Sequence, residues 1–71
     1  MKRKNLIKFR IDLGLKSQEM AEKLGISRVH YSYIENGKKD PTFGFLEKFE
    51  STCKEMDIEL DDIWELFKKG V

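Results

Sequence analysis

Between Leu24 and Lys38 the chain reads LGISRVHYSYIENGK. At about 100° per residue, Arg28, Val29, Ser32 and Tyr33 fan over one side of a helix here, and Tyr31 and Ile34 lie on the other. A helix that only covers a core more often spends its outer face on Glu and Lys pairs. This one carries a forked cation, a small branched apolar group, a hydroxyl and a phenol, a set that suits base edges and phosphates better than bulk solvent. Arg28 can fork onto guanine O6 and N7 or clamp a phosphate, Ser32 can donate or accept, and Val29 can meet a thymine methyl. Tyr33 can hydrogen-bond a phosphate or lie along the sugar backbone.

These side chains need a short, rigid helix, and the flanking residues supply its ends. Ser27 is a natural N-cap, and the Asn36-Gly37 turn stops the helix at about Glu35. The preceding helix, about two turns long, is marked by Met20, Ala21 and Leu24, with Glu19 and Glu22 near its positive end and Gly25 closing it. A first helix follows Leu6, Phe9 and Leu13 and stops at Gly14. Downstream, Thr42 can cap a fourth helix in which Phe45, Phe49, Cys53 and Met56 recur at steps of four, four and three, reaching about Met56. Asp61 and Asp62 then open a fifth helix that Lys68 and Lys69 close, with Leu60, Ile63, Trp64 and Phe67 as its apolar stripe. Nothing alternates with period two between turn signals, so the class is all-α: a compact five-helix domain spanning residues 1–71, with a helix-turn-helix at about residues 17–36 formed by helices 2 and 3.

At 71 residues the chain buries only about 60% of its unfolded surface, so its helices must pack well or chains must associate. The single Cys53 leaves no disulfide framework and no Cys cluster for a metal, which suits a reducing cytoplasm. The basic start, Met1 to Lys4, resembles the front of a secretory signal, yet Arg10 and Asp12 interrupt any apolar run, so neither export nor a membrane span is expected. The net charge of +1 hides an asymmetry: residues 1–40 hold ten Lys/Arg against five Asp/Glu, and residues 41–71 hold four against eight. An attractive field for phosphate is therefore expected over the first half only.

With those elements in place, residues 14–41, GLKSQEMAEKLGISRVHYSYIENGKKDP, resemble the helix-turn-helix of the phage repressor and Cro-type family of bacterial transcription regulators. Ala21, Gly25, Ile34 and the IENGK run carry the likeness most specifically, and it extends over about nine-tenths of the chain. It implies a lambda-repressor-like domain, and a partly buried ion pair between Arg10 and Glu35 that fixes helix 1 against helix 3. It also implies phosphate contacts at the start of helix 2, through Ser17 and Gln18, and in the loop after helix 3, through Lys38 and Lys39. The slots where relatives place a capping residue and then Gln hold Lys16 and Ser17 here. Either Ser17 caps with a one-residue shift or the end is weakly capped. About three residues more than relatives have, somewhere in STCKEM, extend helix 4 by nearly one turn.

The DNA-binding set expected is thus Ser17, Gln18, Ser27, Arg28, Val29, Ser32, Tyr33, Lys38 and Lys39. No cofactor, metal or catalytic residue is expected: no paired acids, nucleophile with base, or phosphate loop converges. His30 reads as a surface or phosphate contact, and the acids at 57, 59, 61 and 62 lack the Gly and spacing of a calcium site. Trp64, Phe67, Phe45, Phe49 and Cys53 read as core. Ile7 and Ile11 fall off the first helix's stripe, so either helix 5 folds over them or a partner chain does. The function implied is sequence-specific binding of double-stranded DNA by a small regulator, a homodimer at least when bound, repressing at an inverted repeat. The alternative is an antitoxin or adaptor that grips a protein partner through its acidic C-terminal half.

Overall fold

The computed structural model describes residues 1–70, and among them every regular element is helical: α1 (Lys4–Asp12), α2 (Ser17–Leu24), α3 (Arg28–Glu35), α4 (Phe43–Glu55) and α5 (Ile63–Leu66). The core is drawn from the first four helices and from the residue that follows the fifth. Leu6 of α1, Met20, Ala21 and Leu24 of α2, Tyr31 and Ile34 of α3, and Phe45, Leu46, Phe49 and Cys53 of α4 are buried, and Phe67, just past α5, joins them. Phe49 lies 5.9 Å from Phe9 and 5.1 Å from Phe67, edge-on to the latter, so one aromatic cluster ties α1, α4 and the C-terminal turn together.

Capping sets the helix starts. Ser27 Oγ accepts from His30 N at 3.1 Å, and Thr42 Oγ1 accepts from Phe45 N at 3.1 Å. At α2, Lys16 occupies the cap position and its side chain cannot accept a bond. Instead Glu19 Oε1 accepts from Lys16 N at 2.8 Å. Ser17 is the first helical residue, so the start of α2 has half of a reciprocal cap and no shifted one.

The C-terminal segment departs most from the expectation. The fifth helix is a single turn, and Trp64 is 69% exposed instead of lying in the core. Ile63 and Leu66 pack on the core beside buried Phe67, and these three share one side, so Leu66 takes the inward place expected for Trp64. Two carbonyls of this segment are bonded by the far end of the chain. Asn5 Nδ2 donates to Glu65 O at 3.0 Å and Arg3 Nε to Phe67 O at 2.9 Å, which ties the turn to the start of the chain. Of the two isoleucines left open on α1, Ile7 is half-buried and Ile11 stays 59% exposed, so the C-terminal turn does not cover it.

Candidate nucleic-acid interface

α3 is seated from behind by its own apolar side. Tyr31 and Ile34 have no exposed surface, and Glu35 is buried at the helix end. Arg10 reaches this end from α1: its Nε lies 2.6 Å from Glu35 Oε2, its Nη2 donates to Glu35 Oε1 at 3.3 Å, and its Nη1 donates to Leu15 O at 2.8 Å. The hydrogen-bonded carboxylate of Glu35 holds the Arg10 guanidinium above its usual pKa. Among the described residues the buried Tyr31 hydroxyl has no hydrogen-bond partner, and burial, reinforced by the nearby Glu35 carboxylate, pushes its pKa up.

A second arginine, absent from the residues singled out by type and spacing, holds the same helix end. Arg3 is 2% exposed, and its backbone N donates to Glu35 O at 2.7 Å. Its Nη1 donates to Ile34 O at 2.6 Å and to Lys39 O at 3.1 Å, while Nη2 meets Asp40 Oδ1 at 2.9 Å. One guanidinium thus joins the end of α3, the following loop and the C-terminal turn. Asp40 also pairs with Lys69 at 3.0 Å; Lys69 first and Arg3 second hold its carboxyl below the usual carboxylate range. The signal for Arg3 is hidden in the sequence because it sits among Lys2 and Lys4 in a run that reads as a solvated basic start.

The opposite side of α3 is open. Arg28 is exposed at the first turn, Val29 is 60% exposed and Tyr33 46% exposed. Ser32 is half-buried, and its surroundings reveal a further residue: Asn36 Nδ2 donates to Ser32 O at 2.9 Å and to Ser32 Oγ at 3.2 Å. A backbone carbonyl only accepts, so the amide nitrogen must face Ser32, and the Ser32 hydroxyl keeps its proton for an outside acceptor. Asn36, visible in the sequence only as half of a turn, therefore also holds a side chain of this face. Ser27 is exposed at the helix start, and His30 is half-buried at the flank, its ring 6.3 Å from that of Phe45.

Past α3, Lys38 and Lys39 are exposed, and Lys38 Nζ stands 5.9 Å from the centre of the Tyr33 ring, which sets a cation beside the phenol at the face's edge. The turn that brings them there passes through Gly37 at φ 74°, where an added Cβ would run into the carbonyl of Met1. At α2, Ser17 is half-buried and Gln18 exposed. The first amides of that helix are free of partners within it and can meet an anion, although the Glu19 carboxylate bonded to Lys16 N lies over the same end. The two short helices are joined through Gly25 and Ser27, the arrangement in which one helix crosses the DNA backbone while the next enters the major groove.

A protein-family model described as helix-turn-helix matches residues 6–59, from α1 through α4 to the segment beyond it. No curated protein and no solved structure matches the chain. The matched region covers more than half of the sequence and both helices of the motif, and the chain belongs to the phage repressor and Cro-type helix-turn-helix family of DNA-binding regulators.

Proposed function

We propose that this protein is a small transcriptional regulator that binds an inverted-repeat operator as a homodimer and represses by occluding it. The observation that carries the reading is the division of α3: Tyr31 and Ile34 wholly buried, with Arg28, Val29 and Tyr33 standing open on the other side. Arg28, Val29 and Ser32 read base edges in the major groove. Ser27, Tyr33, Lys38 and Lys39 follow the backbone on the α3 side, and Ser17 and Gln18 follow it at the start of α2. A single module of this size buries roughly 600–1,000 Å² on DNA, and each good base contact supplies about 1–3 kcal/mol, which seldom reaches nanomolar affinity alone. Two copies on half-sites about 34 Å apart do reach it. The place of action is the cytoplasm, where the operator is, and control comes from protein concentration or competition with polymerase.

Selection of bound fragments from random duplex DNA tests this reading. The expected result is an enriched, two-fold symmetric sequence whose half-sites repeat at about one helical turn or a multiple of it. Absence of any enriched sequence would overturn it.

A further inference from the structure

Residues 2–3 and 67–70 close on each other beside the end of α3. Gly70 N donates to Lys2 O at 3.1 Å, and Arg3 Nε donates to Phe67 O at 2.9 Å. Arg3 in turn donates to Glu35 O, Ile34 O and Lys39 O. Lys69 lies between the two anchored positions, and its Nζ stands 3.0 Å from Asp40 Oδ1, the same oxygen that takes Arg3 Nη2 at 2.9 Å. A lysine from the C-terminal segment is thus set against the loop of Lys38 and Lys39. Residues 2, 3 and 69 all fall outside the stretch, 6–59, that matches the family model. We infer that Lys69 is a further phosphate-contacting residue of the DNA interface, and that Asp40 positions it there. The inference rests on the DNA-reading function above.

Stability is a poor reason for the pair. The Lys69 side chain is 40% exposed and that of Asp40 74% exposed, and ion pairs so open add little to a fold. Binding is a better reason. A carboxylate in a loop that meets the DNA backbone repels phosphate unless cations answer it. Here two do, Arg3 from the buried side and Lys69 from the open side, so Asp40 and its partners together carry a positive charge. An ammonium has three donors and Asp40 Oδ1 takes one, which leaves two for phosphate oxygens.

Rigidity favours the contact as well. A lysine on a loose segment has to be ordered when it binds, at an entropic cost. Lys69 is already held on both sides and at its tip. One DNA strand carries a charge about every 3.4 Å along the axis, so exposed Lys38, Lys39 and Lys69 can follow neighbouring phosphates of a single strand. Lys68, the adjacent residue and also exposed, pairs instead with Glu65 at 3.9 Å.

The test titrates the wild type, Lys69→Ala, Lys69→Arg, Lys68→Ala, Asp40→Asn and the Asp40→Asn, Lys69→Ala double variant with the selected operator and with a mixed-sequence duplex, between about 50 and 200 mM salt. All are expected to unfold at similar temperatures, because the altered side chains are exposed. Lys69→Ala is expected to lower the salt slope by about one on both duplexes, because a phosphate contact carries no sequence information. That is a loss of roughly threefold or more at the lower salt, shrinking by about the same factor at the higher. Lys69→Arg is expected to keep the slope, and Lys68→Ala to leave it unchanged. With Asp40→Asn already present, Lys69→Ala is expected to cost less than it does alone. An unchanged slope for Lys69→Ala would overturn the contact, as would equal losses for Lys68→Ala and Lys69→Ala, which mark a diffuse field. An undiminished loss beside Asp40→Asn would overturn the positioning by Asp40. Failure of the wild type to bind either duplex would overturn the DNA-reading function itself, a distinguishable result.

Discussion

Helices α2 and α4 end on the same hydrogen-bond pattern, yet the segments that come after them are held differently. At the end of α2, Gly25 sits at φ 69° with Gly25 N donating to Glu22 O and Ile26 N to Ala21 O. At the end of α4, Asp57 takes the equivalent place at φ 61°, with Asp57 N donating to Lys54 O and Ile58 N to Cys53 O. After Gly25 comes an eight-residue helix with a side-chain cap, two wholly buried side chains and an ion pair on its last residue. After Asp57 comes an extended passage and one helical turn, closed by hydrogen bonds from Arg3 and Asn5. The first region is over-determined, which suits the proposed role of a helix that presents four side chains in register. The second is held by Ile63, Leu66 and Phe67 on the core and by donors from the start of the chain, and it leaves Trp64 outward.

The comparison breaks most severely at Glu35. Arg10 and Glu35 are both nearly buried, so removing one partner strands a charge, which costs about 3–5 kcal/mol. For a domain of this size that is a large share of its total stability. Glu35→Ala is expected to show it in denaturant unfolding, and the paired replacement Arg10→Met with Glu35→Leu to recover most of the loss, since a well-packed apolar pair substitutes for a buried ion pair at little cost. A loss under 1 kcal/mol in the single variant would mean that α3 is seated by Tyr31, Ile34 and Arg3 alone.

Legibility in the sequence divides along the same line. The start of α3 at Ser27, its end at Glu35 and the split between Tyr31/Ile34 and Arg28/Val29/Tyr33 are local, each decided by residues within a turn or two of one another. The Arg10–Glu35 contact is reached only through family resemblance, since 25 residues separate its partners and no periodicity joins them. α5 carries an equally regular stripe, yet it is a single turn, and the residues that bond its carbonyls, Arg3 and Asn5, lie some sixty residues away. The stripe groups Trp64 with Leu60, Ile63 and Phe67, but the side that packs runs through Ile63, Leu66 and Phe67. Arg3 itself cannot be told from Lys2 and Lys4 by composition, although it is buried and they are not.

An intermediate effect should separate reading from stability. Arg28 is exposed, so Arg28→Ala is expected to leave the unfolding temperature unchanged. On the selected operator the same substitution is expected to cost about 1–3 kcal/mol and to relax preference at one base pair, measured by titrating variant duplexes. Lys38→Ala, by contrast, is expected to weaken binding evenly across sequences and to lower the salt slope by about one. Equal losses on every sequence for Arg28→Ala would reassign that residue from base edge to phosphate.

The smallest effect concerns the two helix ends. An L residue in the left-handed region is strained by about 1–2 kcal/mol, less for Asp than for most, and glycine is not. Asp57→Gly relieves that strain and gives back part of it as extra freedom of the unfolded chain, so the net expected gain is roughly 0.5–1 kcal/mol. In a domain of 60–100 residues a gain of that size raises the unfolding temperature by roughly 2–8 °C. Gly25→Ala is the reciprocal change: its new Cβ would stand 2.8 Å from Lys48 Nζ, a flexible tip that can swing away, so the expected loss of about 1–2 kcal/mol is conformational. If Asp57→Gly failed to raise the unfolding temperature while Gly25→Ala lowered it, the two ends would differ in more than residue type. The Asp57 side chain would then contribute to the turn, a contact that the backbone hydrogen bonds do not reveal.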